Sequence, residues 1–389
     1  MIDDFALEKL IEPLQSWYQE NARRLPWRED PSAYHVWISE IMLQQTRVEA
    51  VKPYYARFLE ALPTVKDLAE CPEDKYLKLW EGLGYYSRVR NLNAAARQVM
   101  EEYGGQLPSD YEELLKLKGI GHYTAGAISS LAFGRPVPAV DGNVLRVLTR
   151  VTGDDRDIMK QSFKTLVEAE LSRLMKSYAA ESGEDAQIPG KNADEVQNLN
   201  TKPQLIPGLF NQGLMELGAL VCLPNGAPHC GDCPWKEFCI ARKEGRIEDL
   251  PVKKKSKERR IEERTVLILL DGDKVALHKR PAKGLLAGLY ELPNRLTHMT
   301  PEEALSYVRE IGYTPIRIKA LDPAKHIFSH VEWHMIGYQV AIEEDAFASD
   351  EQRKRAVKEN LLFIETREAR ESYAIPNAFA AYAGYMGMK

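Results

Sequence analysis

The fold of this chain is decided by two neighbouring stretches, Leu117-Lys118-Gly119-Ile120-Gly121-His122-Tyr123-Thr124-Ala125 and Val140-Asp141-Gly142-Asn143-Val144. Apolar runs with helical spacing lead into the glycines and out of them. Two glycines between helices permit a tight turn, and they let backbone N–H groups approach an anion at the start of the next helix. Such a turn holds a phosphate without reading base sequence. The alternative is a plain turn between packed helices, with Asp141 as the N-cap of a helix over 142–150.

Taken together, the two stretches resemble the helix-hairpin-helix of the endonuclease III superfamily of DNA glycosylases, with the hairpin at 114–135. In that superfamily an aspartate beyond the hairpin takes part in the chemistry, and Asp141 holds that place. The resemblance implies that Gly119 and Gly121 contact DNA.

Composition limits the class of protein. At 389 residues, with 44% hydrophobic and 28% charged residues, the chain is long enough for two or three globular domains. The formal net charge of −5 argues against a protein that is basic overall, although local patches can still bind nucleic acid. The N-terminal segment has no signal-peptide pattern, and the apolar runs are too short to span a bilayer. We therefore expect a soluble intracellular protein with no membrane partner. The resemblance implies a cytoplasmic, nucleoid-associated location of the bacterial type.

Four of the five cysteines lie within one short stretch, at Cys222, Cys230, Cys233 and Cys239. In a reducing compartment such clustering indicates a metal site more readily than disulfides. Four thiolates at this spacing can hold either a cubane iron–sulfur cluster or a tetrahedral zinc ion. Only one Cys-x2-Cys pair is present, whereas zinc ribbons usually have two.

Glu40 lies in a predicted helix from Tyr34 to about Val48. At about 100° per residue it falls off the main apolar stripe but beside other apolar residues. This position suits either a carboxylate in a cleft wall, with its pKa raised by desolvation, or a surface glutamate. A second candidate is the Gly-rich break at 82–88, where Tyr85 beside Arg88 is either a core aromatic or a wedge between DNA bases.

The chain divides into three predicted parts. Residues 1–240 form a helical catalytic region, which includes a polar insertion at 181–205 and the cysteine loop at 222–239. Residues 241–263 form a basic linker. Residues 264–389 contain a predicted β-hairpin at 265–279, a helix at 301–311 and strands within 327–342, and these patterns indicate a small α+β domain.

Several further motifs make the resemblance more specific. Ser39-Glu40-Ile41-Met42-Leu43-Gln44-Gln45-Thr46, Gly-Leu-Gly-Tyr85-Tyr86-Ser-Arg, Gly-His-Tyr123-Thr-Ala and Phe-Asn-Gln212 through Glu216-Leu-Gly resemble MutY-type adenine DNA glycosylases. The resemblance covers nearly the whole chain apart from the insertion. It implies a [4Fe–4S] cluster on Cys222, Cys230, Cys233 and Cys239, although the first cysteine gap has seven residues where the family normally has six.

The resemblance also implies roles for individual residues. Glu40 would protonate the flipped adenine, and Asp141 would stabilise the sugar cation electrostatically or through a transient covalent bond. Tyr123 and Asn143 would orient these carboxylates and the water. The remaining implied residues are the adenine pocket, Trp27, Arg28, Gln212 and Glu216, and the DNA-contacting or intercalating set, Gln45, Tyr85, Arg88, Gly119 and Gly121. Bifunctional members of the superfamily have lysine at the second residue after Gly-x-Gly, where this chain has Tyr123. Hydrolysis should therefore use water, with little or no strand cutting.

The C-terminal part resembles the MutT-like, or Nudix-fold, module of the same family. It lacks the Gly-x5-Glu-x7-Arg-Glu-x2-Glu-Glu helix of a working Nudix hydrolase, so it should not hydrolyse nucleotides. Phe328-Ser329-His330 matches the family's loop for recognising 8-oxoguanine. An ordinary strand end is the alternative for these three residues.

The sequence thus predicts a multidomain protein, an all-α helix-hairpin-helix DNA glycosylase with an iron–sulfur loop and a C-terminal α+β Nudix-like domain. Its predicted function is monofunctional removal of adenine opposite 8-oxoguanine or guanine in double-stranded DNA, by a monomer. The alternatives are an endonuclease III-like glycosylase for oxidised pyrimidines, removal of thymine from T·G pairs, and a non-catalytic iron–sulfur protein that binds damaged DNA.

Overall fold

The computed structural model describes residues 1–181, 204–253, 258–343 and 361–386. The chain forms two compact units, Met1–Glu70 with Asn91–Lys255, and Cys71–Arg90 with Ser256–Lys389. Almost all of the predicted insertion at 181–205, and residues 254–257 of the predicted linker, lie outside the described residues. The predicted domain limits at 240 and 264 remain predictions.

Helices make up the first part of the chain. Their bounds are α1 Ile11–Asn21, α2 Pro26–Glu29, α3 Ala33–Leu43, α4 Val48–Ala61, α5 Val65–Glu70, α6 Glu73–Leu79, α7 Ser87–Glu102, α8 Tyr111–Lys116, α9 His122–Ala127, α10 Gly142–Thr152, α11 Gln161–Glu181, α12 Pro207–Leu220 and α13 Ile240–Lys243. Short 3-10 helices lie at Ile2–Asp4 and Leu7–Leu10, and a π-helical turn at Ile128–Ala132. The predicted helix at Gly142 is confirmed, and Asp141 caps it.

The core of the first unit surrounds α10 and α12. Leu214 and Leu217 of α12 pack with Val144 and Val147 of α10 and with Leu14 of α1, and all five side chains are buried. The Asp141 carboxylate accepts the Val144 N–H at the start of α10, and Gly153 ends the helix in the left-handed conformation. The cap therefore fixes where Asp141 stands relative to the core.

Two predicted helices end earlier than their patterns indicate. The helix carrying Glu40 ends at Leu43, because the C-cap Gln44 has a ψ of 112°, outside the helical region, and Gln45 follows with a left-handed φ of 57°. The apolar spacing from Asp67 to Leu83 also predicts a single helix, but the structure interrupts it between α5 and α6, where Pro72 is the N-cap of α6. Gln45 consequently lies on a turn rather than within the predicted helix.

The second unit contains a mixed sheet. Its strands are β1 Arg260–Asp271, β2 Lys274–Lys279, β3 Tyr290–Glu291, β4 Asn294–Arg295, β5 Pro315–Ile327, β6 Val331–Ile342 and β7 Leu361–Glu365. The order is β3-β2-β1-β6-β5, with β4 on β1 and β7 on β2. Its helices are α14 Pro301–Glu310, α15 Thr366–Ser372 and α16 Ala380–Ala383, with 3-10 turns at Asn377–Phe379 and Gly384–Met386.

The central strand β1 is buried on both faces. Val266 and Ile268 pack on one side with Phe379 and Tyr382, whereas Leu267 and its neighbours pack on the other side with α14. Such two-sided burial accompanies the parallel pairing of β1 with β6. The antiparallel pairing of β1 with β2 confirms the predicted hairpin. The predicted combination of an all-α region and an α+β domain is also confirmed.

The strand β5 was not predicted. Pro315 and Pro323 lie within it, and proline is depleted in strands because it cannot donate to the ladder. A register shift between Leu321 and Ala324 accommodates Pro323 against β6. Among the described residues, no helix is both long enough and apolar enough to cross a membrane.

Candidate active site

A pocket of about 640 Å³ opens in the first unit between α3, α9, α10 and α12. It brings together nine residues that the sequence predicted for catalysis or base binding. These are Trp27, Arg28, Glu40, Gln45, Tyr123, Asp141, Asn143, Gln212 and Glu216. Side chains more than 170 positions apart in sequence therefore face one cavity.

Glu40 is the buried acid of this pocket, with 5% of its surface exposed. Burial raises its pKa to about 7, and the negative charge of Asp141 acts in the same direction. The Tyr123 hydroxyl donates to Glu40 Oε2 at 2.6 Å, and this bond and Arg28 lower the pKa in part. Of the two alternatives for Glu40, the structure therefore places it in a cleft wall, where it holds a proton near neutral pH.

Asp141 is the second carboxylate of the pocket. Its Oδ1 accepts the Val144 N–H and its Oδ2 accepts the Asn143 side-chain amide, both at 2.8 Å. Burial raises the pKa of Asp141, while these two donors and Arg146 oppose that effect. The sequence left a helix cap and a catalytic group as alternatives, and the structure shows that the capping carboxylate also lines the pocket.

A chain of hydrogen bonds leads from Asp141 to the cysteine loop. Asn143 accepts from Arg146 Nη2 at 3.0 Å, and the same guanidinium donates to the carbonyls of Gly218 at 2.8 Å and Cys222 at 2.9 Å. Arg146 is 4% exposed, and sequence analysis missed it. The available signal was its position one helical turn after Asn143.

The other end of the pocket is closed by a buried ion-pair group around Glu216. Glu216 is 1% exposed and accepts from Arg23 Nε and from Arg28 Nη2, both at 2.8 Å. Burial raises the pKa of Glu216, but the two guanidiniums outweigh it and lower the pKa to about 2. The Tyr18 hydroxyl donates to Gln212 Oε1 and Arg28 lies over the Tyr18 ring. Sequence analysis missed Arg23 and Tyr18, which are distant from Gln212 and Glu216 along the chain.

The hairpin between α8 and α9 is confirmed as a tight Gly-x-Gly turn. Gly119 has a φ of 77°, and a Cβ there would lie 2.6 Å from the Asn91 Cβ, so the position requires glycine. Gly121 is the N-cap of α9, and nothing lies within 4 Å of where its Cβ would be. The turn therefore leaves space at the start of α9 for the backbone of a bound molecule.

A second pocket, also of about 640 Å³, lies in the second unit. Tyr85 and the loop Phe328-Ser329-His330, which joins β5 to β6, line it together. Tyr85 is 47% exposed with a left-handed φ of 47°, and its hydroxyl lies 2.8 Å from Ser329 Oγ. Phe328 packs between His326 and Trp333, at ring distances of 4.6 and 4.8 Å.

Arg88 has a different position from the one predicted for a DNA contact. It is 8% exposed, and its Nη2 donates to the carbonyls of Leu83 and Gly84 at 3.0 and 3.1 Å. Its guanidinium also lies over the rings of Trp80 and Tyr85. A short glycine loop leaves backbone carbonyls without backbone partners, and a neighbouring arginine can donate to them. Arg88 therefore stabilises the Tyr85 loop from its buried side.

The four clustered cysteines line one pocket with three cations, Arg150, Lys236 and Arg242. Arg150 Nη1 lies 3.4 Å from Cys222 Sγ and donates to the Leu223 carbonyl at 2.8 Å. Within the described ranges, no group of three or more His, Cys, Asp or Glu side chains is arranged to hold a metal ion. The donor chemistry nevertheless fits a thiolate-bound cluster, because four sulfur atoms and balancing positive charge surround one space.

Two protein-family models match the chain. A model described as the HhH-GPD superfamily base excision DNA repair protein matches residues 38–175, and a NUDIX domain model matches residues 265–383. These matches confirm the predicted helix-hairpin-helix region and the predicted Nudix-like domain.

Similar proteins have been characterised. The chain is 35% identical to the mouse adenine DNA glycosylase, covering 85% of this chain and 70% of the mouse protein. It is 34% identical to the adenine DNA glycosylase of Buchnera aphidicola subsp. Schizaphis graminum, covering 82% of this chain and 84% of the relative. Among solved structures, a thermostable thymine-DNA glycosylase superposes with a TM-score of 0.49 at 25% identity, covering 61% of this chain and 97% of that one.

Proposed function

The chain belongs to the adenine DNA glycosylase family of base excision repair, and from this premise we propose the details of its reaction. It hydrolyses the N-glycosidic bond of adenine opposite 8-oxoguanine or guanine, and it leaves the DNA strand uncut. The enzyme acts as a monomer, and double-stranded DNA is its partner. Glu40 carries this proposal, because it is a buried carboxyl group with a pKa of about 7 in the wall of a base-sized pocket.

Glu40 is the general acid. With a pKa of about 7 it keeps a substantial fraction of its proton at neutral pH, and it can give that proton to a ring nitrogen of the flipped adenine. Protonation makes adenine a neutral leaving group, so the bond to the sugar breaks more easily. The Tyr123 hydroxyl holds Oε2, which leaves the other carboxyl oxygen to face the base.

Asp141 stabilises the sugar. As the glycosidic bond breaks, positive charge develops on the sugar ring, and an ionised carboxylate nearby lowers the energy of that state. The Val144 N–H, the Asn143 amide and the Arg146 charge all favour the ionised form. The two carboxyl groups thus differ in role, because Asp141 accepts hydrogen bonds on both oxygens, whereas Glu40 accepts one, from Tyr123.

Water is the nucleophile in this mechanism. A strand-cutting glycosylase of this superfamily uses a lysine amine at the second residue after Gly-x-Gly, and here that residue is Tyr123. The phenol is not a substitute, because burial raises the pKa of Tyr123 well above its usual value. A water molecule bonds to the sugar carbon and gives a proton to the Glu40 carboxylate, which lost its own proton to adenine. The products are an abasic site and free adenine.

The ion-pair end of the pocket binds the base. Glu216 is held rigid by Arg23 and Arg28, and Gln212 is held by Tyr18. Charged groups that are already paired need little reorganisation when a base enters. Trp27 lies on the same wall, packed against Tyr55 at 5.4 Å, and provides an aromatic surface beside the base.

The pocket of the second unit recognises the base opposite adenine. Tyr85 offers an exposed aromatic ring that can enter the base stack. Ser329 offers a hydroxyl that can accept the N7–H of 8-oxoguanine, a hydrogen that guanine lacks. The bond between Tyr85 and Ser329 fixes the position of that hydroxyl.

Cys222, Cys230, Cys233 and Cys239 hold a [4Fe–4S] cluster in this proposal. The bound cluster supplies a rigid, redox-inert crosslink of the loop. Arg150 binds beside Cys222 Sγ and donates to the Leu223 carbonyl, so it offsets thiolate charge and fixes the loop at once. Arg146 joins the same loop to Asn143 through the Cys222 carbonyl.

The test is single-turnover cleavage of labelled duplexes that carry adenine opposite 8-oxoguanine, guanine or thymine, each assayed with and without alkali. We expect nicking of the first two only after alkali, fastest opposite 8-oxoguanine, with the thymine duplex spared. Nicking without alkali would contradict the monofunctional mechanism. Equal rates opposite 8-oxoguanine and thymine would contradict recognition of the opposite base.

A further inference from the structure

Asn211 is a buried side chain that joins three segments of the first unit. With 0% of its surface exposed, it accepts the Ala139 N–H at 3.2 Å. Its amide nitrogen donates to the Ser130 hydroxyl at 2.7 Å and to the Val137 carbonyl at 2.9 Å. Both amide hydrogens and the amide oxygen are therefore used, and α12 is tied to the π-helical turn and to the segment 137–139.

Each of these contacts lies next to a residue that lines the pocket. Leu131 follows Ser130, Gln212 follows Asn211, and Asp141 lies two residues beyond Ala139. A shift of any of the three segments would therefore move a wall of the pocket. Because Asn211 lies on α12 and bonds to the other two segments, it fixes the positions of the three segments relative to one another.

Helix α9, which carries Tyr123, contacts the same segment. A Cβ on Gly126 would lie 2.1 Å from the Pro138 carbonyl oxygen, so the backbones touch at this point. The Ser130 hydroxyl donates to the Gly126 carbonyl at 2.7 Å and accepts from Asn211. Helix α9, which carries Tyr123, therefore packs against the segment that leads to Asp141. Asn211 on α12 completes this group through its bonds to Ser130 and to residues 137–139.

The π-helical turn Ile128–Ala132 is part of this group. Such turns are rare and frequently occur at functional sites. Here Ser130 lies in the middle of the turn, with its hydroxyl held on both sides, and Leu131 is presented to the pocket.

We propose that Asn211 is a positioning residue of the glycosylase reaction. It does not touch the base, but it holds the segment leading to Asp141 against α9 and α12, so that Asp141, Tyr123 and Gln212 keep the spacing that the reaction needs. This inference rests on the roles proposed above for those three residues. It adds a residue whose effect is on the rate of the chemical step.

Two substitutions test the inference in the full-length enzyme. Asn211→Leu keeps the approximate size and removes all three hydrogen bonds. Asn211→Asp keeps the acceptor for Ala139 and loses donors. The single-turnover rate constant for adenine release should fall about ten- to hundredfold in the leucine variant and less in the aspartate variant. The reaction amplitude of a separate experiment with substrate in excess reports the active fraction, so loss of folded protein is distinguished from a slower step.

Asn93→Leu is the matched control. Asn93 is 5% exposed and donates to the Leu68 carbonyl at 2.6 Å, and it is not among the residues that line the pocket. It should lower the melting temperature and the amplitude without changing the rate constant. Asn211 variants that behave in the same way, with reduced amplitude and a wild-type rate constant, would overturn the inference.

Failure of the proposed catalytic roles gives a different result. If Asp141→Asn and Glu40→Gln keep wild-type rate constants, the roles on which the inference rests are wrong. If those variants are inactive and the Asn211 variants are as fast as wild type, only the positioning role of Asn211 is wrong.

Discussion

Two pockets of the described chain have the same volume, about 640 Å³, but they are built from opposite kinds of side chain. The first pocket contains buried carboxyl groups, each held by a phenol, an amide or a guanidinium. The second contains aromatic rings and an exposed hydroxyl, with Tyr85 47% exposed. Burial of charged groups shifts their pKa values, which suits them to bond breaking, whereas exposed rings and hydroxyls suit recognition of a base.

This comparison implies different sensitivities. A substitution in the first pocket should change the rate of the chemical step or the stability of the fold, because buried polar groups depend on one another. A substitution in the second pocket should change which duplex is preferred and should leave the chemical step intact. Four substitutions, ordered from the largest expected effect to the smallest, test this division.

Replacement of Glu40 by glutamine should have the largest effect. The variant keeps the size and hydrogen bonding of the side chain but has no proton to give, so the single-turnover rate constant should fall about 10²- to 10⁴-fold. Binding to a duplex with adenine opposite 8-oxoguanine, measured by fluorescence anisotropy, should persist. A wild-type rate constant would remove Glu40 from the acid role.

Replacement of Glu216 by glutamine should destabilise the first unit. Arg23 and Arg28 are left without their carboxylate, but their side chains are 31% and 16% exposed, so the cost should be below the roughly 3–5 kcal/mol of a fully buried pair. The pKa of Glu216 in the fold, about 2, is lower than its ordinary value of 4.5, so its stabilisation is present above pH 4.5 and is lost as the pH falls towards 2.

The measurement is urea unfolding at pH 7 and at several acidic pH values. The difference between wild type and Glu216→Gln should shrink as the pH falls through that window. A difference that does not depend on pH would contradict the role of the carboxylate charge. Glu70→Gln, whose carboxylate pairs with Lys66 at the surface, is the control and should change stability by less than about 1 kcal/mol.

Replacement of Ser329 by alanine should change selectivity. The hydroxyl is lost to both Tyr85 and the opposite base, so the preference for 8-oxoguanine over guanine should fall about two- to twelvefold, equivalent to one hydrogen bond. The single-turnover rate constant at saturating enzyme should stay near wild type. Tyr85→Phe removes the same bond, and the double variant should be less than additive.

Ser372→Ala, an exposed serine outside both pockets, should leave this preference unchanged. A collapse of the maximal rate in Ser329→Ala would contradict the division between the two pockets.

Replacement of Tyr123 by phenylalanine should give the smallest effect, a shift of the pH profile. The Tyr123 hydroxyl lowers the pKa of Glu40, so its removal should raise that pKa. An acid must be protonated to act, so the rate falls as the pH rises through the pKa, and this fall should move to higher pH in the variant. Tyr103→Phe, whose hydroxyl bonds only to Glu113 among its described partners, is the control. A shift towards lower pH would contradict the contact.

Local patterns made much of this predictable from sequence. The Gly-x-Gly turn and the cap at Asp141 depend on residues only a few positions apart, and both were found where they were predicted. The residues that were missed act over long distances. Arg23 bonds to Glu216, Asn211 to Ala139, and neither pairing leaves a periodic signal.

Other errors came from local chemistry that overrides a pattern. The helix that carries Glu40 ends at Leu43, because the backbone of Gln44 leaves the helical region although the apolar spacing continues. Arg88 donates to the carbonyls of Leu83 and Gly84 and is therefore buried, whereas we expected a cation at the surface beside Tyr85. The two prolines in β5 concealed a strand that forms through a register shift.

The most direct test of the central claim is the pKa of Glu40 itself. It can be measured by ¹³C NMR of carboxyl-labelled protein, with the Glu40→Gln variant used to assign the signal. The account predicts a titration near pH 7, with a falling rate of adenine release over the same range. A titration near the ordinary value of 4.5 would mean that the proton is absent at neutral pH, and the acid role of Glu40 would be contradicted.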